Sequence, residues 1–188
     1  LATAFVAAGG TLLEHAPVAA VVPAGAGVRV DLGTGHLLAD RVVVCTGAYG
    51  TRTDLPDRLP ARAVHTYMRA SGPLPESTLA ALGGEDLFLA APGAGMAYWR
   101  VHRDRFLFGG IDVGRLVPGP AADARPRSHR ALDRLLRRRV PGAATGAPAY
   151  RWGGAVHVTA TETPYLARSA ASDRITYAVG FAGSGLAL

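Results

Sequence analysis

The sequence contains no lysine, a single cysteine and no long apolar run. All 20 of its basic residues are arginine, and they leave the 188-residue chain with a formal net charge of +6. Apart from the run Arg137-Arg138-Arg139, the arginines are spread along the chain, and no aromatic residues alternate with that run. A nucleic-acid-binding protein concentrates positive charge on one face and adds aromatic side chains that stack on bases. The composition therefore predicts no nucleic-acid partner.

The lone cysteine excludes internal disulfides and cysteine-rich metal sites. Cys45 follows Val42-Val43-Val44, a pattern that predicts a buried strand in which cysteine acts as a small hydrophobic residue. So little cysteine is consistent with a reducing compartment, and we expect a cytoplasmic protein. None of the six histidines has metal-ligand spacing with a pair of carboxylates, so no metal site is predicted. No stretch approaches the roughly 20 apolar residues that span a bilayer, which predicts no membrane partner.

Glycine, in contrast, is abundant, and it follows two apolar strands at opposite ends of the sequence. Residues 42–45 lead into Thr46-Gly47-Ala48-Tyr49-Gly50, and residues 174–179 lead into Gly180-Phe181-Ala182-Gly183-Ser184-Gly185. Glycine lets the backbone approach a ligand closely, and the free N–H groups of a following helix point towards it. In open α/β sheets, ligands bind beyond the carboxyl ends of such strands. The two turns therefore predict a cofactor-binding edge.

The segments around these turns predict a mixed fold. Residues 1–8 are expected to form a helix, and four strands are expected over 11–15, 18–22, 27–32 and 37–44. Further strands are predicted over 64–69, 86–90, 96–101, 105–110 and 150–159, and these suggest an antiparallel sheet. Leu132, Leu135 and Leu136 recur at helical spacing, which predicts a helix over 127–139 that Pro141 ends.

Five stretches of the sequence match one family in order and spacing. They are residues 5–10, 42–50, 106–112, 152–154 with 163–164, and 175–185. In these stretches the chain resembles the FAD-dependent amine and amino-acid oxidases, the group of D-amino-acid, sarcosine and glycine oxidases with the gamma-glutamylputrescine oxidoreductase branch. The resemblance implies an α/β (α+β) fold class. A partial FAD/NAD(P)-binding Rossmann-like domain would cover 1–58 and 164–188, with an antiparallel-sheet substrate domain inserted over 59–163.

The resemblance also implies FAD as the cofactor and a set of residues that contact it. The covalent flavin of some relatives needs a cysteine in the substrate-side half, and only Cys45 is present, so non-covalent FAD is expected. The family's backbone contact to adenine falls on Val18, and its second flavin-contacting turn falls on Thr46, Gly47 and Ala48. Its last flavin-contacting turn falls on Gly180, Phe181, Gly183, Ser184, Gly185 and Leu186. Many relatives carry histidine at the position of Ser184, so the role of that histidine is not transferred.

Four residues are candidates for a substrate site. Arg100 can anchor a carboxylate through its bidentate guanidinium, and Tyr98 lies beside it in the same strand. Tyr67 shares one strand face with His65 and Arg69 because strand side chains alternate. Trp152 is expected to form an aromatic wall. The alternatives are a surface ion pair for Arg100 and ordinary packing for the two aromatic residues Tyr67 and Trp152.

The remaining acidic candidates receive structural roles. Asp104 and Asp112 bracket one predicted strand, so turn and edge positions are expected for them. No catalytic residue is assigned, because the flavin carries the difficult step.

The resemblance implies oxidation of a small-molecule amine or amino acid. A hydride passes to the flavin and an imine forms, and O2 or another acceptor then reoxidises the flavin. Two alternatives stay open. An NAD(P)-linked α/β oxidoreductase would show similar glycine turns, and a truncated, non-catalytic remnant would lack a working nucleotide site.

The 188-residue chain by itself is expected to bind FAD weakly or not at all, and to be inactive. It begins inside a predicted helix and stops where another should begin, so it is interpreted as a piece of a longer protein. Gly25-Ala26-Gly27 is followed by a strand, so it is a turn and not the dinucleotide fingerprint that cradles a pyrophosphate. Absorbance of the purified 188-residue chain after gel filtration with excess FAD checks this expectation. Stoichiometric retention of flavin would contradict it.

Overall fold

The structure is a computed structural model that describes residues 1–85, 87–91, 96–114, 118–143, 146–183 and 185. By backbone contacts the chain divides into two compact units. The first comprises Leu1–Cys45, Gly50–Leu59 and Leu166–Ala178, and the second comprises Thr46–Tyr49, Pro60–Tyr165 and Val179–Leu188. The division into a flavin domain over 1–58 and 164–188 and a substrate domain over 59–163 stays a prediction.

The described residues form helices and strands in a mixed order. The α-helices are α1 (Ala2–Ala7), α2 (Glu76–Ala81), α3 (Pro120–Asp123) and α4 (Pro126–Arg139), and 3-10 helices cover Gly47–Arg52 and Pro141–Ala143. The strands are β1 (Ala20–Ala24), β2 (Gly27–Asp31), β3 (His36–Ala39), β4 (Val42–Val44), β5 (Ala61–Ala70), β6 (Phe88–Ala91), β7 (Ala97–His102), β8 (Arg105–Gly114), β9 (Tyr150–Thr159), β10 (Tyr165–Arg168) and β11 (Ile175–Val179). The predicted α/β (α+β) fold class is confirmed.

The first unit contains two small sheets. Strands β1, β2 and β3 form an antiparallel meander. In the other sheet, β11 lies between β10 and β4 and pairs with β4 in parallel, with Ile175 opposite Val42 and Tyr177 opposite Val44. The two apolar strands that precede the glycine turns are therefore neighbours, and both turns leave the same end of this pair.

Three sequence expectations in the first unit are wrong. Residues 11–15 form no strand, because no other strand pairs with them among the residues described. The single strand expected over 37–44 is two strands, β3 and β4, which belong to different sheets. Cys45 is exposed and not buried, because β4 ends at Val44 and the chain turns there. Helices α2 and α3 and strand β10 are elements that the sequence analysis did not predict.

A carboxylate joins distant segments of the first unit. Asp57 accepts hydrogen bonds from the Ser169 hydroxyl, from Tyr177 Oη at 2.8 Å and from the Ala170 N–H at 3.3 Å. The Ser169 hydrogen bond is the main reason why the pKa of Asp57 is lowered. Burial, followed by the hydrogen bond to Asp57, raises the pKa of Tyr177 to about 12. The anionic Asp57 therefore holds residues 50–59 against residues 166–178.

The second unit is built on a five-stranded antiparallel sheet with strand order β6-β7-β8-β5-β9. Helix α4 covers one face of this sheet through Leu132, Leu135 and Leu136, each at most 3% exposed. Burial of one such side chain contributes roughly 1.5–3 kcal/mol. The helix predicted over 127–139 is confirmed, and so is the strand predicted over 150–159.

A one-residue bulge in β8 changes which face its side chains join. His65 of β5 lies opposite Val113, but Tyr67 lies opposite Gly110, so Thr66 alone opposes two residues of β8. The bulge occurs where Gly110 has a φ of 148° and Ile111 a φ of 61°. An extra residue reverses the side-chain alternation of the rest of a strand.

The side chains on both sides of the bulge show this reversal. Before it, the even-numbered residues Phe106 and Phe108 are buried in the core under α4. After it, the odd-numbered residues Ile111 and Val113 pack against that core. Asp112 therefore joins the opposite face of the sheet.

Gly110→Ala is expected to lower the free energy of unfolding by about 2–4 kcal/mol, from strained φ and overpacking together. A Cβ at Gly110 would lie 2.3 Å from the carbonyl oxygen of Met96, and backbone cannot move aside as a flexible side chain can. Gly154→Ala, in the same sheet, is the matched control, because a Cβ there meets no atom within 4 Å. Chemical denaturation of both variants measures the difference, and equal stabilities would show that the bulge tolerates a side chain.

Candidate functional site

A cavity of about 660 Å³ lies on the face of the five-stranded sheet that α4 leaves uncovered. Successive side chains of strand β5 point to opposite faces of the sheet. Its residues Arg62, Val64 and Thr66 line the cavity, whereas His65, Tyr67 and Arg69 are buried on the helix side. The other described lining residues are Phe88, Ala90, Met96, Tyr98, Asp112, Gly114, Val156, Val158, Glu162, Ala182 and Gly183.

A polar cluster crosses three strands on the cavity wall. Tyr98 Oη of β7 lies 2.7 Å from Thr66 Oγ1 of β5, and either hydroxyl can donate to the other. Asp112 of β8 lies in the bulge opposite Thr66 and lines the same cavity. Three neighbouring strands therefore contribute one polar side chain each to this part of the wall.

Tyr98 is half-buried, and Asp112 is exposed on the cavity wall. Partial desolvation by the wall raises the pKa of Asp112, and hydrogen bonding by Thr66 opposes part of that increase. Burial likewise raises the pKa of Tyr98, with a smaller lowering effect from Thr66 and a raising effect from the negative charge of Asp112. Tyr98 is therefore a neutral hydrogen-bond donor at physiological pH.

A glycine makes room for this arrangement. Gly109 of β8 lies opposite Tyr98 on one side and Met68 on the other. A Cβ at Gly109 would come within 2.2 Å of both Met68 Sδ and Tyr98 Cε2. The absent side chain allows the Tyr98 ring to lie across β8 and reach Thr66.

The charged groups of the described lining are two carboxylates and one guanidinium. Asp112 lies on the wall, Glu162 lies in the segment after β9, and Arg62 is exposed near the start of β5. Nη1 of Arg62 is close to Gly114, where an added Cβ would lie 3.3 Å from it. The remaining lining is largely apolar, as in most small-molecule sites.

The last glycine turn forms part of the same cavity wall. Gly180 has a φ of 76°, and a Cβ there would lie 2.6 Å from Thr159 Cγ2. Phe181 forms a bridge with Val158, and the Ala182 N–H donates to the His157 carbonyl at 3.0 Å. These contacts fix the turn to the end of β9, so that Ala182 and Gly183 reach the cavity.

Two predicted flavin contacts of this turn, Ser184 and Leu186, lie outside the described residues. Gly185 is described, and an added Cβ there would lie 3.0 Å from Phe181 Cβ. Gly183 has a φ of 86°, which favours glycine at that position.

The other glycine turn contains a buried polar group that is available to a ligand. Among the described residues, Thr46 Oγ1 is buried without a hydrogen-bond partner. Next to it, Gly47 has a φ of 53° and Ala48 is 2% exposed. A buried hydroxyl without a partner costs about 1–3 kcal/mol, which a bound polar group would recover. These residues therefore fit the polar edge of a cofactor such as flavin.

Val18, the predicted contact to adenine, belongs to the first unit. Its carbonyl accepts a hydrogen bond from Thr53 Oγ1 at 3.2 Å, which holds the chain just before β1. Its contact with the cofactor stays a prediction.

The four predicted substrate residues have three different placements. Tyr98 lines the cavity. Arg100 and Trp152 lie on the same sheet face by alternation but are not among the lining residues, and Trp152 is 42% exposed. Tyr67 lies on the opposite face, fully buried, and its hydroxyl donates to the Ala122 carbonyl at 2.8 Å. Tyr67 packs under the helices, so we do not retain it as a substrate residue.

The sequence analysis missed Arg62, Thr66 and Asp112 as members of this site. Turn and edge roles were expected for Asp112, which instead lies on the cavity wall. The signal was the pair Gly109-Gly110 inside a strand pattern, since glycine in a strand interior often marks a bulge or a close approach. This glycine pair indicates that the side chains of the strand change faces there. It does not identify which residues of the neighbouring strands lie opposite.

Glycine turns after parallel strands, together with an adjoining sheet that carries a cavity, indicate a cofactor-dependent α/β enzyme. The family model described as FAD dependent oxidoreductase matches residues 1–188, and the chain belongs to this family. Its cofactor is therefore FAD.

Solved structures with the same fold include two oxidases and one dehydrogenase. Glycine oxidase from Geobacillus kaustophilus has a TM-score of 0.74 at 20% identity, over 96% of this chain and 46% of that one. L-proline dehydrogenase from P. horikoshii has a TM-score of 0.75 at 18% identity, over 98% and 49%. Iminodiacetate oxidase from Chelativorans sp. BNC1 has a TM-score of 0.74 at 17% identity, over 96% and 47%. The chain thus spans about half the length of these structures.

The search of curated proteins gave no match. Within the described residues, no helix is long and apolar enough to cross a membrane. The same residues contain no group of three or more histidine, cysteine or acidic side chains that could hold a metal ion.

Thr66→Val is expected to raise the pKa values of both Asp112 and Tyr98, because the Thr66 hydroxyl lowers both in the native protein. Thr161→Val is the control, since Thr161 forms an exposed hydroxyl pair with Thr163. NMR titration of labelled aspartate carboxyl carbons measures the change for Asp112. An unchanged Asp112 pKa in Thr66→Val would show that Thr66 does not interact with Asp112 in solution.

Proposed function

We propose that the chain is part of an FAD-dependent oxidoreductase that oxidises an amine or amino acid to an imine by hydride transfer to the flavin. The observation that carries this proposal is the shared cavity wall. On that wall, Ala182 and Gly183 of the last glycine turn accompany Tyr98 and Asp112 of the sheet. The glycine turn that we propose as a flavin contact therefore faces the same cavity as the polar groups that suit a substrate.

The proposed flavin contacts are the two glycine turns. Thr46, with its buried hydroxyl, and Gly47 and Ala48 would hold one part of the cofactor, bound without a covalent link. Gly180, Gly183 and Gly185 would permit close approach in the other turn. When bound, FAD supplies the hydride-accepting chemistry.

The protein's own contribution is binding, orientation and exclusion of water. Tyr98, Thr66 and Asp112 provide polar groups on the wall. Val64, Val156 and Val158 provide apolar surface beside it. Such a wall holds a small molecule in one orientation and removes water from around it, which lowers the entropic part of the barrier.

The substrate class rests on the neighbouring structures and the chemistry of the cavity. Glycine oxidase, L-proline dehydrogenase and iminodiacetate oxidase carry names of amine-containing substrates. An imine product would hydrolyse to an aldehyde or keto acid. The final electron acceptor would be O2 or another oxidant, and we propose a cytoplasmic location without a nucleic-acid or membrane partner.

Anaerobic mixing of the flavin-loaded whole protein, of which this chain is proposed to be a part, with a panel of primary amines, secondary amines and amino acids tests the proposal. We expect at least one member to bleach the visible absorbance of oxidised FAD and to yield ammonia or a smaller amine with a carbonyl product. If the protein holds flavin but only donors without an amine reduce it, the substrate assignment is wrong. If the whole protein binds NAD(P)H in place of flavin, or binds no cofactor at all, one of the two alternatives replaces the proposal.

A further inference from the structure

The outer side of helix α4 carries a row of positive charge. The inner side of this helix is buried through Leu132, Leu135 and Leu136. Because an α-helix turns once in 3.6 residues, side chains at intervals of three and four share one side of it. The exposed arginines on the side opposite the leucines are named the arginine stripe, and they are Arg127, Arg130, Arg134, Arg137 and Arg138.

The part of the chain that the structure describes gives the stripe no counter-charge. None of its arginines forms an ion pair with a described carboxylate. Asp133 is the one acidic residue of α4, and both of its oxygens are occupied by arginines of the sheet. Its Oδ1 lies 2.7 Å from Arg69 Nη1, and its Oδ2 lies 2.6 Å from Arg151 Nη2. The stripe is therefore uncompensated.

The stability of the helix does not explain the stripe. Like charges at intervals of three and four repel and destabilise a helix, and the stripe contains such pairs at Arg127–Arg130, Arg130–Arg134, Arg134–Arg137 and Arg134–Arg138. The helix dipole favours cations in the last turn, which accounts for Arg137 and Arg138. The same dipole disfavours Arg127 in the first turn. Carboxylates of a bound partner would remove this repulsion along the whole stripe.

The spacing of the stripe matches that of another helix. Successive arginines are separated along the axis by about 4.5 or 6 Å, at 1.5 Å per residue. Acidic residues at intervals of three and four on a second helix have the same rise, so each can meet a guanidinium, which binds a carboxylate with two parallel hydrogen bonds. Arg134, Arg137 and Arg138 together line a concavity of about 270 Å³. Helix α4 contains no phenylalanine, tyrosine or tryptophan on which a nucleic-acid base could stack.

We propose that the arginine stripe is a docking surface for an acidic α-helix of a partner protein, with Asp and Glu residues at intervals of three and four. The stripe lies on the outer side of the helix that covers one face of the five-stranded sheet, and the candidate cavity lies on the other face. A partner bound to the stripe therefore leaves the cavity open. The inference does not depend on the substrate or on the cofactor.

The test measures binding of two labelled peptides to the whole protein that contains this chain. Both are alanine-rich, of about 20 residues so that they can form a helix, with the same composition and net negative charge. In the striped peptide the glutamates recur at intervals of three and four, and in the scrambled peptide they are distributed around the helix. We expect fluorescence anisotropy to show that the native protein binds the striped peptide at least about tenfold more tightly than the scrambled one.

Arg134→Gln/Arg138→Gln is the test variant, and Arg41→Gln/Arg103→Gln is the matched control. The control removes the same charge from two exposed arginines outside the stripe. We expect the test variant to bind the striped peptide at least about tenfold more weakly, and the control to stay within about twofold of the native protein. The melting temperature of the test variant should be unchanged or higher, because the substitutions remove like-charge pairs from the helix.

Several outcomes would overturn the inference. Equal affinity of the native protein for both peptides would show general charge attraction without a docking geometry. Undiminished binding of the striped peptide by the test variant would place the contact elsewhere, and no binding by the native protein would show that the stripe is not available. Tighter binding of a single-stranded DNA oligonucleotide of equal charge would indicate a nucleic-acid surface instead. If the test variant fails to fold, the comparison of the two peptides on the native protein decides.

Discussion

The bulge in β8 is the constraint on which the candidate site depends. A strand presents alternate residues to opposite faces, so one inserted residue exchanges the faces of everything that follows. In this sheet the insertion comes after Phe108, whose ring belongs to the core, and before Asp112, whose charge could not be buried there without a partner. Gly110 makes the insertion possible, because its backbone lies against the Met96 carbonyl with no room for a side chain.

One face of the sheet packs in the core and contributes to stability, and the other carries the candidate site. Helix α4 and the aromatic residues under it bury one face, and the ion pair between Arg69 and Asp133, at 2.7 Å, is enclosed there. The other face is free to carry polar groups that a core would not tolerate. Tyr98, Thr66 and Asp112 lie on three neighbouring strands, so their positions are fixed by the sheet and not by any single loop. A rigid scaffold of this kind suits a site that must hold a substrate in one orientation.

Local patterns in the sequence were sufficient for several elements. The leucine spacing of α4 and the run of β9 gave elements at the predicted positions, and the family resemblance in the glycine turns is confirmed by the family match. The wrong predictions concern residues whose structure depends on partners that are distant in sequence. Residues 11–15 have strand-like composition but no strand beside them, and Cys45 is exposed because β4 stops one residue earlier. Thr66 and Asp112 could not be paired from the sequence, because their meeting requires both the β5–β8 register and the bulge. The predicted flavin contacts stay predictions.

The central claim is that Tyr98 and Asp112 share one cavity wall with Gly183 of the last glycine turn, and that the substrate binds there. A crystal structure of the whole protein that contains this chain, loaded with flavin and with an amine bound, tests this claim most directly. The account predicts that Ile111 keeps its left-handed conformation, that Asp112 lies on the face opposite α4, and that the amine lies in the cavity lined by Tyr98. A structure in which Asp112 points towards α4, or in which the amine binds outside this cavity, would contradict it.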